Sequence, residues 1–322
     1  MRDRNGFEHW VVALRATFTI QDDGPVAINE RQEPPYLAPR YVDRAAQELH
    51  SEADIAPFRP KVDLTIHGNA VARDHKTFKS LPFSVRVGAM TKQAIAFGHR
   101  QISKHNESWR LDRYDPVASV PLSWRNALGG EDLFGLEQCC PYNPIGMGWS
   151  TDYARAENNS VVILPHIENA QERIGRLDKP PAPMGFCPLQ PAWRPRIDHA
   201  GTYDAQWEHS RAPLVPSDFS EQFHQAAPPD QILALNGGEP VEIVGLHPAG
   251  AYRFALPQII IDAKTLINGE KPLHRLRLVG VHIDATEKKL SMVWNGSLPC
   301  NGIEHTIDLS VVRVKQMAGV QR

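Results

Sequence analysis

The feature that most limits the possible folds of this chain is a segment dense in proline, aromatic residues and aspartate, residues 182–230, which we call the strap. Proline fixes φ and lacks a backbone N–H donor, so a central strand or a long helix cannot form from such a segment. The apolar side chains of Phe186, Trp193, Phe219 and Phe223 would be costly to leave in water. We therefore predict an ordered strap packed across a core, in preference to the alternative of a flexible linker.

Much of the remaining sequence shows the two-residue alternation that is typical of β-strands. In the first such segment, Trp10, Leu14 and Phe18 share one side, and Arg15 and Thr17 share the other. The predicted strands end at Gly, Pro or Asn-Gly pairs, which favour turns. They are residues 10–20, 62–67, 81–87, 94–97, 241–246, 252–256, 258–261, 276–283, 290–294 and 303–314.

The segments 81–87 and 94–97 are predicted to form a hairpin that turns around Met90, Thr91 and Lys92. Helical signals are weak, because no stripe of 3.6-residue period exceeds two or three turns. Short helices are predicted at 41–52, 169–177 and 216–225, the last of them capped by Ser217 or Asp218.

The fold class that follows is mainly β: antiparallel sheets in sandwich or barrel-like lobes, few short helices and a long ordered connection. We predict an N-terminal β lobe at residues 1–130 and a C-terminal β lobe at residues 231–322. The connection between the lobes is predicted at residues 131–230 and includes the strap. About half of the 27 prolines lie in residues 129–230. One compact domain is the alternative.

The composition argues against several classes of function. With a formal net charge of -2, the chain lacks the basic field that binds phosphates, so we expect no nucleic acid partner. No apolar run approaches the ~18 residues that span a bilayer, and the first residues lack the apolar core of a signal peptide. A cytoplasmic protein without membrane contact is therefore expected. The 4 cysteines are too few for a disulfide framework and are expected to be reduced.

A series of motifs, in a fixed order along nearly the whole chain, resembles one bacterial family. They are RATF (15–18), SEADIAPFRPKVD (51–63), VRVG (85–88), PLSWRNALGG (121–130), NPIGMG (143–148), LPHIE (164–168), PMGF (183–186), WRPR (193–196), GTYD (201–204), Trp207, SDF (217–219), AAPPD (226–230) and GGEP (237–240). The family is a former domain of unknown function that is associated with adaptor, or chaperone, proteins of the type VI secretion system. No single motif is decisive, but their order is specific.

The resemblance implies a non-enzymatic cytoplasmic protein that binds a toxic effector and helps to load it onto a VgrG or PAAR-type spike protein. It implies no catalytic residues. No cofactor is expected either, because the chain has no P-loop, no HExxH and no CxxC motif.

The residues that suit partner binding best are aromatic and arginine side chains in the strap, because such side chains contribute most of the binding energy at protein interfaces. Neighbouring prolines would lower the entropy lost on binding. The candidates are Trp193, Arg194, Arg196, Tyr203 and Trp207. The alternative, which is the commoner use of aromatic residues, is that these side chains face inward and hold the strap to the core.

Two other functions are weighed against the adaptor. A hydrolase-like enzyme could use an acid-base or metal cluster within residues 198–224, drawn from Asp198, His199, Asp204, Glu208, His209, Asp218 and His224. A carbohydrate-binding module could stack exposed tryptophan and tyrosine on sugars, although a cytoplasmic chain has little access to extracellular glycans. Cys139, Cys140 and Cys187 could bind zinc, but their spacing is unlike that of zinc ribbons and favours buried cysteines.

Three aspartates of the strap have a structural interpretation. Asp204, Asp218 and Asp230 lie in turn-like sequence, where a carboxylate can accept backbone N–H groups that a sheet would otherwise satisfy. We predict this role for all three.

Overall fold

The structure, a computed structural model, describes residues 1–22, 24–43, 45, 48–56, 58–174, 177, 179–302 and 305–321. The strands of the first half are β1 (His9–Thr19), β2 (Val26–Ile28), β3 (Arg40–Asp43), β4 (Glu48–Ser51), β5 (Val62–His67), β6 (Asn69–Val71), β7 (Ser80–Val87), β8 (Met90–Phe97), β9 (His99–His105), β10 (Ser108–Asp115), β11 (Ser119–Pro121), β12 (Leu128–Gly129), β13 (Met147–Gly148), β14 (Val161–Ile163) and β15 (Ile167–Asn169).

The second half contains one described α-helix, α1 (Ala205–Ser210). Its strands are β16 (Ile232–Leu233), β17 (Pro240–Val244), β18 (Tyr252–Ala255), β19 (Gln258–Ile267), β20 (Leu273–Asp284), β21 (Lys289–Pro299), β22 (Ile307–Ala318) and β23 (Val320–Gln321). Single 3₁₀ turns lie at Arg73–His75, Trp124–Asn126, Tyr153–Arg155, Arg196–His199, Glu221–His224 and Pro229–Gln231. No helix in the described part of the chain is long and apolar enough to cross a membrane.

The largest sheet has nine strands and a barrel-like course. Its main path is β16-β5-β20-β21-β1-β2-β23, and β19 and β22 branch from β20. β22 leads through Gly319 directly into β23, which pairs with β2. Trp10 of β1 donates from Nε1 to Oγ of Ser310 in β22 at 2.8 Å. The branch therefore curls back toward the first strand of the sheet.

A second sheet of five strands, β15-β8-β7-β17-β18, packs against the first. The alternation in β5 explains this contact, because Leu64 and Ile66 are fully buried in the same apolar core as Val85 and Ile243 of the second sheet. A three-stranded sheet, β10-β9-β14, and the strand pairs β3-β4, β6-β11 and β12-β13 lie outside this sandwich.

The prediction of a mainly β fold with antiparallel sheets is confirmed. The two predicted lobes share both large sheets, because β1 pairs with β21, β5 with β20, and β7 with β17. A boundary near residue 130 or 231 therefore divides the sequence without dividing the sheets.

Most predicted strands are present, with shifted ends. The hairpin of β7 and β8 is confirmed, but Val87 pairs with Met90, so the turn lies at Gly88 and Ala89 and the predicted turn residues belong to β8. The predicted strand 303–314 begins at Ile307, and residues 303 and 304 lie outside the described residues.

The helix predictions are less accurate. The helix predicted at 41–52 is wrong for the described residues of that range, because 41–43 lie in β3 and 48–51 in β4, which pair with each other. Residues 44, 46 and 47 lie outside the described residues. Leu49 of β4 is buried, so tertiary packing overrides the local helix propensity. In 169–177, Asn169 ends β15, residues 170–174 are not helical, and residues 175 and 176 lie outside the described part. The helix predicted at 216–225 is reduced to the 3₁₀ turn at 221–224, which Ser220 caps.

Candidate functional site

Two of the five predicted partner-binding residues are buried inside the strap. Trp193 is 2% exposed, and its ring meets that of Trp124 edge to face, with 6.0 Å between the centroids. Arg196 is 5% exposed and donates to the carbonyls of Leu189 and Phe223, each at 2.8 Å. For these two residues, the inward-facing alternative is the correct one.

The other three lie at the strap surface. Arg194 is exposed and pairs with Asp198 at 3.2 Å. Tyr203 is 56% exposed and its ring contacts that of half-buried Trp207, with centroids 4.7 Å apart. Trp207 Nε1 donates to the carbonyl of Leu214 at 2.8 Å. Partner binding by Arg194, Tyr203 and Trp207 stays a prediction.

The acidic and histidine residues of 198–224 mostly make local contacts. Asp204 caps α1 by accepting the N–H of Trp207 at 2.8 Å, and Asp218 accepts the N–H of Thr202 at 3.0 Å. These two predicted structural roles are confirmed. Asp230 has no backbone N–H donor among the described hydrogen bonds, and its carboxylate pairs instead with the Nζ of buried Lys92 at 2.9 Å.

Metal-ligating residues are not brought together in the described part of the chain, where no group of three or more His, Cys, Asp or Glu side chains could hold an ion. Cys187 is buried, and its Sγ lies 2.8 Å from the carbonyl oxygen of Leu122. Burial raises the pKa of this thiol far above its usual value, so the thiol is protonated. Among the described residues, all four cysteines are free.

A cavity of about 430 Å³ lies elsewhere, where the nine-stranded sheet forks. β20 pairs with β19 from Leu273 to Leu276, and with β5 from Gly280 to Asp284. The residues between, 277–279, pair with neither strand. β19 and β5 diverge there and leave an open space, which we call the fork cleft.

The wall of the fork cleft is apolar. Ile259, Leu278 and Leu233 are half-buried, and Trp294 and Leu276 are buried behind them. At one end, Gly237 has a φ of 89°, and a Cβ there would lie 2.4 Å from the carbonyl oxygen of Pro257. Glycine therefore allows the loop that carries Asn236 to approach the start of β19.

The charged side chains that line the fork cleft are all cationic: Arg59, Lys61, Arg275 and Arg277. Arg59 is buried and donates to the carbonyl of His224 at 3.0 Å, so it has a structural role. Arg275 is exposed and pairs with Asp262 at 3.3 Å. Lys61 is exposed, and no side-chain partner of its ammonium is described. The cleft therefore joins an apolar wall to a positive rim.

Sequence reasoning missed this site. The alternation predicted β5, β19 and β20, but it could not show that β20 divides its pairing between the other two. The Gly237-Gly238 pair is a local feature of this site, but in the sequence it belongs to the GGEP motif and does not indicate a cleft.

The comparisons with known proteins identify a family and no individual relative. No curated protein matches the chain, and no solved structure matches it. The model of a family described as uncharacterized proteins conserved in bacteria, DUF2169, matches residues 5–295. This match covers the five-stranded sheet, the strap and every lining residue of the fork cleft, and it ends at residue 295 within β21 of the nine-stranded sheet. The chain therefore belongs to the DUF2169 family.

Proposed function

We propose that this protein is a non-enzymatic adaptor, or chaperone, that binds a type VI secretion effector and promotes its loading onto a VgrG or PAAR-type spike protein. The fork cleft is the observation that supports stoichiometric binding. The order of the sequence motifs, and not the cleft, supports the assignment to type VI secretion.

The occupant that suits the cleft is an extended segment of the effector with both apolar and acidic residues. Arg277, Leu278 and Val279 lie on a strand but pair with neither β19 nor β5. Added strands are recognised through main-chain hydrogen bonds, while side-chain pockets provide specificity. Residues 277–279 offer a place for such pairing.

Charge and burial favour an acidic segment over a basic one. Lys61 and Arg277 are exposed at the rim, and no acidic side chain lines the cleft within the described residues. Carboxylates at this rim would steer association and penalise cationic competitors. The half-buried Ile259 and Leu278 would lose their remaining contact with water on binding, which is the main favourable term.

Release needs no chemical step in this arrangement. A segment held by one cleft can be displaced when the spike protein binds an overlapping part of the effector. We therefore expect a complex that dissociates by competition between interfaces, without nucleotide hydrolysis.

The first experiment is co-purification of the full chain with the proteins encoded by adjacent reading frames. We expect an effector or a VgrG or PAAR-type protein to be retained at 1:1 stoichiometry. Failure to retain any of these proteins, together with turnover of a substrate or binding of a polysaccharide, would overturn the adaptor proposal.

The second experiment locates the interface with charge reversal. Lys61→Glu with Arg277→Glu should weaken effector binding at least about tenfold, measured by calorimetry. The matched control is Lys76→Glu with Arg110→Glu, two exposed cations that do not line the cleft, and it should bind like the parent. Equal affinity of all three proteins would keep the adaptor function but place its interface elsewhere, with the surface of Arg194, Tyr203 and Trp207 as the next candidate.

A further inference from the structure

A second, polar pocket of about 150 Å³ lies on the face of the large sheet that is turned away from the sandwich core. Four polar residues cross that face in register: Thr17 pairs with Ser291, Ser291 with His282, and His282 with Thr65. Thr17, Ser291 and Thr65 are buried, although the outer face of such a sheet is usually solvated. Glu33, Tyr36, Arg40 and His50 are among the other residues that line the pocket.

The floor of this polar pocket contains a buried cation with a free N–H. The side chain of Arg15 is 5% exposed, and its Nη1 pairs with Asp54 at 3.0 Å. Its Nε has no hydrogen-bond partner in the described structure, and the Oε2 of Glu33 lies 3.9 Å from it. A buried guanidinium N–H without an acceptor is costly, so an acceptor from outside the protein would stabilise it.

A second buried nitrogen without a described hydrogen-bond partner belongs to His282. Its Nδ1 forms a 2.7 Å hydrogen bond with Oγ1 of Thr65, whereas its Nε2 is buried and has no described partner. If the Thr65 hydroxyl donates to Nδ1, the neutral ring carries its proton on Nε2 and can donate it to an acceptor. Burial and the nearby Arg15 guanidinium lower the pKa of His282 well below its usual value, which keeps the ring neutral.

The position of this ring depends on a glycine. A Cβ at Gly280 would lie 2.8 Å from Nε2 of His282. Gly280 pairs with Val293 of β21, and Val293 pairs with Arg15 of β1. The free nitrogen of His282 therefore points along the sheet toward the row of Arg15.

The rim adds cations, while the acidic groups of the pocket are already engaged. The guanidinium carbons of Arg15 and Arg40 lie 4.1 and 3.7 Å from the centroid of the Tyr36 ring. Glu33 accepts from Lys289 and from the Tyr36 hydroxyl. Asp284 accepts the backbone N–H groups of Thr286 and Glu287, at 3.0 and 2.9 Å.

We propose that the polar pocket binds a small oxyanion, a phosphate or carboxylate group, whose oxygens accept from Arg15 Nε and His282 Nε2, with Arg40 at the entrance. Charge-assisted hydrogen bonds to a buried guanidinium are strong, and planar guanidinium groups suit both kinds of oxyanion. The volume exceeds the roughly 30 Å³ of one water molecule in the liquid, so the pocket has room for more than a single water.

The test uses the full chain titrated with inorganic phosphate and, separately, with acetate, at ionic strength held constant with chloride. We expect saturable 1:1 binding by calorimetry below about 10 mM, and a thermal midpoint that rises with the anion. Saturation by phosphate alone assigns the pocket to phosphate groups, and saturation by acetate alone assigns it to carboxylates. No saturable binding of either anion would overturn the proposal and leave water as the occupant.

Variants distinguish the pocket from other cationic surfaces. Arg15→Gln should abolish binding, and Arg40→Gln at the exposed rim should weaken it several-fold without loss of the fold. Arg253→Gln is the control, because Arg253 is exposed in the five-stranded sheet and pairs there with Glu242. If Arg15→Gln does not fold, Arg40→Gln and the control decide. Affinity that is the same in the parent, Arg40→Gln and Arg253→Gln would contradict the proposal.

Discussion

The strap and the C-terminal strand β22 show opposite relations between regular structure and burial. The strap has one six-residue helix and a few 3₁₀ turns, yet Phe186, Leu189 and Trp193 are each at most 3% exposed. β22 is a regular strand of 12 residues, yet Leu309 and Val311 are 57% and 52% exposed. In these two segments, regular hydrogen bonding and burial therefore do not occur together.

The comparison of the strap with β22 shows how a segment without regular secondary structure can be buried. Some backbone groups of the strap bond to a strand, since the carbonyl of Phe186 accepts the N–H of Ile66 in β5 at 3.0 Å. Others are satisfied by buried side chains. Asp63 accepts the N–H groups of Ala226 and Ala227, at 2.9 and 3.3 Å, and Lys92 donates to the carbonyl of Gly185. β22 needs no such anchors because β19 supplies its hydrogen bonds.

The largest expected effect comes from removing one anchor of the strap. Arg196→Ala should lower the free energy of unfolding by about 3–5 kcal/mol, because it leaves two buried carbonyls and Glu52 without their partner. Urea unfolding measures this change. Arg194→Ala, two residues away and exposed, is the control and should change stability by less than about 0.5 kcal/mol. Similar losses in both variants would contradict the anchor role.

A smaller effect is expected at the cap of the strap helix. Asp204→Ala should cost about 1 kcal/mol, because the N–H of Trp207 loses its acceptor. Thermal unfolding tests this, with Glu208→Ala in the same helix as the control. Unchanged stability combined with lost effector binding would instead place Asp204 in the partner interface.

Acid should weaken the strap by a still smaller amount. Burial and the charges of Arg59 and Arg196 lower the pKa of His224 from 6.5 to about 4. The unfolded chain therefore binds more protons between these values, and stability present above pH 6.5 is lost as pH falls toward 4. The side chain is 29% exposed, so we expect less than ~1 kcal/mol between pH 7 and 5.

The measurement for His224 is urea unfolding of the parent and of His224→Gln across this pH range. The variant should show a flatter dependence of stability on pH. Parallel curves for the two proteins would mean that His224 is not responsible.

The smallest effect is expected in β22. Val311→Thr with Val314→Thr should change the free energy of unfolding by no more than about 0.5 kcal/mol, because both side chains are about half exposed, at 52% and 49%. Thermal unfolding and sedimentation velocity would be measured together. A loss above about 1 kcal/mol would show that these residues are buried, either in the folded monomer or between copies.

The sequence by itself determined the mainly β class, most of the strands and the ordered nature of the strap. Two-residue alternation and turn residues are local properties of the chain, so they can be read without a structure. The cap at Asp204 was predictable for the same reason. The sequence also contains the ordered motifs that carry the resemblance to the type VI secretion adaptor family.

Tertiary structure alone decided which residues form sites. Trp193 and Tyr203 are both aromatic residues of the strap, but one packs on Trp124 and the other is 56% exposed. The fork cleft exists because the two ends of β20 pair with different strands. Its first residues pair with β19, the preceding strand in the sequence. Its last residues pair with β5, where the paired residues Thr65 and His282 are 217 positions apart. The polar pocket depends on register across β1, β21, β20 and β5. Pairing partners and register are set by non-local packing, which local periodicity does not encode.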